Sequence, residues 1–509
     1  MKLETLRNGI ANLLGGALPI LVVIFTTPYV VNTLGANDYG LLTLITAITG
    51  YFAILDINVK AGSIKFVSEY HAAREKNKLN QTLTAGLMLY VLIGIAGSIL
   101  IFFLADVLVR EVFRVPAHSL ETADSSLKLA ALAFLFGQIQ IYLASVPQAL
   151  RRYDQSALLE TIFGMLAPLS NVVVLWLGGG IFEIVLVRVI LSVINILVLT
   201  KTIFRLIPDL RLTKPSLEVT TQLTKFSGYA YLSSLAWLAF VYGDKLILGA
   251  VASMAALTYY SIPQTLSTRV YQLSFRLSAV LFPASSTLQS RQEMEQLKDL
   301  YLYSARYILF VQCVLSFYLL TLSREILHYW ISPEMSVNAS LILILLVLAN
   351  LMDSLTNAPS LVNDGLGKPK VTGLFSVARS VAGLLLTFLL VKEAGVLGAA
   401  ISQFLVFSVY AIALLYYVHG RTIPVEIRDY LRVVLLPNLP LILAMLAITW
   451  LLQSGNVMGI TATTILFATE TIVLLAYGYR VIARQTDIDA LGRYLSSEKF
   501  NFLNRKRSV

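Results

Sequence analysis

Fourteen stretches of about twenty mainly apolar residues divide this chain, and each is long enough to cross the hydrocarbon core of a bilayer as a helix. They fall near residues 11–31, 41–61, 82–104, 126–147, 157–178, 182–203, 226–251, 256–281, 302–322, 338–361, 372–391, 395–417, 431–453 and 459–479. Charged residues make up 13% of the 509 positions, against roughly 25% in a soluble domain. Too little polar surface remains to face water. The expected fold is therefore an all-α polytopic membrane protein. The first run follows Lys2 and Arg7 and continues past the length of a signal peptide, so it reads as an uncleaved span.

The net charge of +10 is mostly an orientation signal. With a cytoplasmic N-terminus, 28 of the 39 Lys and Arg fall in inside segments and 5 in outside ones, the expected bias of cytoplasmic loops. Both termini are then cytoplasmic, and no nucleic-acid footprint is needed. The segment Ser63 to Asn80 reads as an amphipathic surface helix with Ile64, Phe66, Val67 and Tyr70 toward lipid.

The segment 204–225, with Pro208 and Pro215, separates two groups of six spans. An even number gives both groups the same orientation, a parallel-repeat pattern found in transporters. The expected organisation is a lobe over 1–203, a cytoplasmic linker over 204–225 and a second lobe over 226–417. Two further helices follow over 431–479, and a basic cytoplasmic tail over 480–509. A faint echo between "VVNTLGANDYGLLTLI" and "LILGAVASMAALTYYSI" accords with two related lobes.

Charges inside the spans carry the functional expectation, because each is expensive in hydrocarbon and most face a cavity or a partner. The basic ones are Lys60, Arg188, Lys245, Arg269, Arg276 and Arg379; the acidic ones are Asp56, Asp244, Asp353 and Glu470. Arg269 and Arg276 share one helix face with Gln272 between them and Gln264 above. Neighbours on a helix point about 100° apart, so Asp244 and Lys245 are not expected to neutralise one another. Arg188 and Arg379 are weaker cavity candidates. Asp353 has Asn350, Ser354 and Asn357 on its face, and either carries a cation or neutralises an arginine. Glu470, outside the twelve-span core, is expected to be paired structurally.

Other chemistry finds little support. The four histidines are scattered and form no metal cluster. No phosphate-cradling glycine loop offers direct ATP drive, and no cofactor is expected. Asp487 and Asp489 have a metal–nucleotide-sugar spacing but stand in a short tail. The lone Cys313 permits no intramolecular disulfide.

"TPYVVNTLGANDYGLLTLITAI" followed by "LDINVKAGSIKFVSEY" resembles the opening of the polysaccharide and O-antigen flippases of the multidrug/oligosaccharidyl-lipid/polysaccharide exporter superfamily. "GDKLILGA" and "NDGLGKPK" resemble that family's seventh-span and tenth-loop elements, while Ala256-Leu257 departs from its usual glycine. The resemblance implies a bacterial inner-membrane flippase, not an enzyme, that moves a polyprenyl-pyrophosphate-linked oligosaccharide by alternating access. Its partners would be that lipid-linked sugar, membrane lipids and other polysaccharide-assembly proteins. Arginine forks match phosphate oxygens, so Arg269, Arg276, Arg379, Lys245, Arg188 and Gln272 are the expected ligand-binding set. Asp353 and Asp244 are the expected carriers if H⁺ or Na⁺ resets the cycle. The rival readings are a cation-coupled multidrug exporter, whose cargo would prefer an acidic interior, and a membrane-embedded glycosyltransferase or polymerase.

Overall fold

In hydrocarbon a backbone must satisfy its own hydrogen bonds, and a helix does so within one segment. The computed structural model follows that rule. It describes residues 2–453, 455 and 457–483, without the side chains of 2–17, 226, 228–230 and 232–240. The basic tail from residue 484, with Asp487 and Asp489, lies outside the described residues. Among those described there is no β-strand.

The helices, in chain order, are α1 (Lys2–Tyr51), α2 (Val59–Ala72), α3 (Lys76–Val107), α4 (Leu120–Ala149), α5 (Tyr153–Trp176), α6 (Ile181–Leu206), α7 (Leu217–Val251), α8 (Met254–Ser278) and α9 (Leu281–Ser290). They continue with α10 (Met294–Thr321), α11 (Ser323–Trp330), α12 (Pro333–Ser354), α13 (Asn357–Gly365), α14 (Pro369–Val418), α15 (Ile427–Tyr430), α16 (Leu436–Gln453) and α17 (Ile460–Tyr477). Ten helical segments of the described residues are long and apolar enough to cross a membrane. Two of them, α1 and α14, each run through two of the expected apolar stretches without an intervening loop. Gly35 (φ 79°, ψ 168°) and Gly395 (φ 55°, ψ −134°) form the corners, in a backbone region closed to side-chain-bearing residues.

The chain forms two compact units, neither continuous in sequence. The first comprises Met1–Arg269, Ile326–Ala349 and Lys370–Tyr410; the second comprises Val270–Glu325, Asn350–Pro369 and Ala411–Val509.

In the first unit, glycines let helices approach closely, as small residues do in membrane bundles. A Cβ on Gly86, Gly94 or Gly97 of α3 would meet Tyr142, Leu135 or Phe134 of α4 at 2.7 Å or less. Gly40 lies against the carbonyl of Met254, and the Thr258 hydroxyl donates to the Ala36 carbonyl at 2.6 Å. The Leu-Gly…Tyr-Gly stretch is thus a corner at Gly35 and a close contact at Gly40.

Two expectations change here. Helix α1 stops at Tyr51, and a short 3-10 turn ends at Leu55, inside the stretch expected to span 41–61. The Asp56 carboxylate accepts from the Asn58 N–H at 2.8 Å, and Asn58 turns left-handed (φ 55°) to start α2. The amphipathic segment is also two helices, because the chain turns at Arg74 (φ 58°). Val67 and Tyr70 are buried with Leu79, Leu83, Tyr90 and Leu223 rather than facing lipid. Periodicity marked the apolar face correctly, but protein covers it.

In the second unit the expected span over 338–361 breaks between α12 and α13. Leu355 and Thr356 interrupt the ladder, and the Tyr430 hydroxyl donates to the freed Leu355 carbonyl at 3.0 Å. Such a break is tolerated in a membrane protein where other groups re-satisfy the backbone. Just past the end of α14, His419 is buried between Tyr301 and Tyr430. Its Nδ1 lies 2.7 Å from the Leu415 carbonyl and so carries the proton, leaving Nε2 to accept from the Tyr301 hydroxyl at 2.9 Å. Burial holds this imidazole below its ordinary titration range.

Candidate ligand cavity

The corner at Gly35 shapes a cavity in the first unit. Val23, Thr26, Thr27 and Val30 before it, and Tyr39, Leu42, Thr43, Thr46 and Ala47 after it, line one space of about 400 Å³. A straight helix would put residues 23 and 47 roughly 36 Å apart, so the arms must fold toward each other. Asn171 of α5, Arg188 of α6, Tyr242 and Lys245 of α7, and Ser261 and Thr265 of α8 complete the wall.

Arg188 and Lys245 are the charged residues among those lining this space, and no carboxylate lines it. Arg188 also lines a second space of about 290 Å³ with Gln140, Ser192 and Asn195. Its guanidinium has five donors and makes one hydrogen bond among the described residues, from Nη1 to Thr46 Oγ1 at 3.1 Å. Thr46 spends its own proton on the Leu42 carbonyl at 2.8 Å, which leaves its lone pairs for Arg188. The amide oxygens of Asn171 and Asn195 are buried without a partner. Arg188 therefore presents free donors to both spaces, beside polar groups that are only partly satisfied.

Asp244 faces the other way. Its carboxylate is buried and accepts from the Lys245 N–H at 2.7 Å, the Tyr260 hydroxyl at 2.7 Å and the Gln264 amide. The Tyr260 hydroxyl also lies 3.0 Å from the Gln403 Oε1 on the far arm of α14. The Lys245 ammonium reaches back to the Val241 carbonyl at 3.3 Å and stands 3.9 Å from Asp244 Oδ1. The two neighbours thus do not simply neutralise one another: their ion pair is long, and Asp244 has its closer partners on the neighbouring helix. Their Cβ atoms diverge, but the flexible lysine stem folds back far enough for a long ion pair. Gln264, read from the sequence as part of an arginine stripe, instead donates to Asp244. Tyr260 and Gln403 had no sequence signal: they are ordinary residues of apolar helices until the fold brings Tyr260 onto the carboxylate and Gln403 onto the Tyr260 hydroxyl.

The other candidate residues lie elsewhere. Arg379 stacks its guanidinium over Tyr410 and Phe407, 4.6 and 5.1 Å from the ring centroids, a cation–π arrangement outside the cavity. Arg269, half-buried, closes the first segment of the first unit and does not line the cavity either. The second unit holds Gln272, half-buried, and Arg276, exposed. It also holds Asp353, buried in the last turn of α12 before the helix break, whose carbonyl accepts from both the backbone and the hydroxyl of Thr356. Next to it, the Tyr271 hydroxyl donates to Asn357 Oδ1 at 2.7 Å. Of the expected binding set, one cavity thus brings Arg188 and Lys245 together.

Residues 5–289, more than half of the chain, match the family of polysaccharide biosynthesis proteins. The chain belongs to that family. Among curated relatives, a putative O-antigen transporter of Shigella flexneri is 22% identical over 404 residues, covering 79% of this chain and 94% of the relative. A probable low-salt glycan biosynthesis flippase of Haloferax volcanii is 23% identical over 411 residues, covering 80% and 81%. Among solved structures, the lipid II flippase MurJ in an inward closed conformation aligns with a TM-score of 0.72 at 14% identity, over 92% of this chain and 97% of that one. An inward-facing multidrug-resistance MATE transporter of the MOP superfamily aligns with a TM-score of 0.69 at 13% identity, over 80% and 97%. The family member described here therefore has the MATE- and MurJ-like fold of the MOP-superfamily transporters. These relatives are named as transporters and flippases, not as enzymes.

Proposed function

We propose that this protein is a flippase that moves a polyprenyl-pyrophosphate-linked oligosaccharide across the bacterial cytoplasmic membrane for surface polysaccharide assembly. Both termini would be cytoplasmic, as the distribution of Lys and Arg suggests. The observation that carries the reading is the cavity wall: Arg188 and Lys245 with a ring of threonine hydroxyls and no lining carboxylate. A guanidinium with free donors in a low-dielectric space favours a phosphate, which accepts two parallel hydrogen bonds from it. A cationic drug would meet two like charges there. The family match and the flippase names of the relatives support the same cargo class.

In this mechanism the pyrophosphate enters beside Arg188, Lys245 adds a second charge, and the sugar hydroxyls bond to the threonines and Asn171. The prenyl chain stays in lipid. Arg269, Arg276, Arg379 and Gln272 are assigned to other steps of the passage. Asp244 or Asp353 would bind the H⁺ or Na⁺ that resets the cycle.

The test is direct. Purified protein is titrated with geranyl pyrophosphate, a short soluble stand-in for the lipid carrier. Cells lacking their own flippase are scored in parallel for surface polysaccharide at matched membrane levels. Arg188→Ala with Lys245→Ala is expected to weaken binding at least about tenfold, roughly 1.4 kcal/mol, and to abolish complementation. Binding and complementation that both survive the double change would remove these residues from the cargo site.

A further inference from the structure

Glu470 lies in the middle of α17 and is 95% buried, with neither carboxylate oxygen accepting a hydrogen bond among the described residues. Its surroundings are a continuous helix–helix seam. From α17 the seam uses Phe467, Glu470, Thr471 and Tyr477, spaced as one helical face. From α10 it uses Cys313, Tyr318 and Thr321. Tyr318 and Phe467 rings lie 4.8 Å apart, and the hydroxyls of Tyr318 and Thr471 share a 3.0 Å hydrogen bond. Cys313 sits beside Tyr477, whose hydroxyl donates to the Pro437 carbonyl of α16. The polar group next to Glu470 is the Thr321 hydroxyl, and its proton is already given to the Phe317 carbonyl at 2.8 Å.

Among the described residues no base acts on this acid. Arg306 of α10 bonds the Val481 carbonyl, eleven residues or about 16 Å beyond Glu470 along the helix. Arg324 turns its Nη1 to the Gly455 carbonyl at the other end, where Glu325 accepts from the Met458 N–H. The expected structural pairing of Glu470 is therefore not present among the described residues, where Arg306 and Arg324 are engaged at the ends of the seam.

An unpaired carboxylate buried without donors costs several kcal/mol, so its charge must be neutralised from outside the chain. A metal ion would need several more oxygen ligands, and the described residues hold no ligand cluster here. A proton needs none. We propose that Glu470 is a proton-binding site of this protein, occupied while α17 packs on α10 and emptied only when that seam opens to water. It is separate from the acids Asp244 and Asp353, and it couples protonation to the position of the C-terminal helix pair.

Dicyclohexylcarbodiimide, which adds to protonated carboxyls in apolar surroundings, is the probe, used on the full chain in nanodiscs. The acid adds across the carbodiimide and rearranges to a stable N-acylurea with nothing released, so a mass-shifted Glu470 peptide reads the proton directly. The native Cys313, fully buried in the same seam, gives a second readout through maleimide alkylation. The expected result is a Glu470 adduct that is present at neutral pH and falls several-fold as the pH is raised into the alkaline range. Over the same range, Cys313 alkylation should rise further in wild type than in Glu470→Gln. That variant keeps the shape and a neutral side chain, and its folded state is checked by gel filtration. Absence of the adduct throughout the range, or identical Cys313 alkylation profiles in the two proteins, would overturn the proposal.

Discussion

A double-mutant cycle between Asp244 and Tyr260 probes the buried knot that joins α7, α8 and α14. The Tyr260 hydroxyl donates to the carboxylate at 2.7 Å. Interhelical hydrogen bonds in membrane proteins average about 0.6 kcal/mol and reach about 1.7. A short bond to a buried acceptor places this one near the upper end, so Tyr260→Phe should cost about 1.5 kcal/mol. Asp244→Ala removes the acceptor for three donors at once, and two of these belong to the neighbouring helix. Its cost should be about 2–3 kcal/mol, since unmet donors add to the lost bonds. With the carboxylate gone, the tyrosine hydroxyl has little left to lose, so the double variant should fall short of the sum by about 1 kcal/mol. Reversible unfolding in mixed micelles, titrated with dodecyl sulfate, gives the four free energies. Additivity within about 0.3 kcal/mol would refute the reading, because residues that share one hydrogen bond must couple.

Two more outcomes follow from backbone and burial. Gly35→Ala places a side chain in open space but in a backbone region reserved for glycine. It should cost about 1–3 kcal/mol through strain alone, read as a lower unfolding midpoint, while Gly137→Ala, also in open space and at ordinary φ, should not. His419 titrates below its ordinary range in the folded chain, so the unfolded chain takes the proton first as pH falls. Its stabilisation is present above about pH 6.5 and is lost on acidification. His419→Asn should lower stability at neutral pH and flatten the acid limb of the stability curve; parallel curves for the two proteins would remove His419 as the source.

The membrane architecture was legible because twenty-residue apolar runs are a local signal that no tertiary context reverses. The glycines of the Leu-Gly…Tyr-Gly stretch were visible, but not that one makes a corner and the other a contact. Both facts depend on ψ and on the Met254 carbonyl, which lies far away in sequence. The lipid-facing expectation for Val67 and Tyr70 failed for a related reason: periodicity finds an apolar face but not what covers it. Intramembrane charges were found as a set, since each is conspicuous in a greasy chain. Their sorting was not readable. Arg188 at a cavity, Arg379 on aromatic rings and Asp244 on Tyr260 differ only in which helix stands opposite. The break after Ser354 did have a signal in Pro359, which has no N–H to give the Leu355 carbonyl four residues earlier; what the sequence could not show is that Tyr430 takes up that carbonyl.

The corner at Gly35 also has a mechanical meaning. Two walls of the larger cavity are one covalent piece, joined by a single residue with no slack between the arms. Thr46 stands about eleven residues past the pivot, some 16 Å away along the helix, so a 10° rotation about one Gly35 torsion swings it by about 3 Å. That is the diameter of one water molecule, and comparable with the distance from Thr46 to Arg188. A small change in that one torsion would therefore be enough to stretch the Thr46–Arg188 hydrogen bond beyond its range.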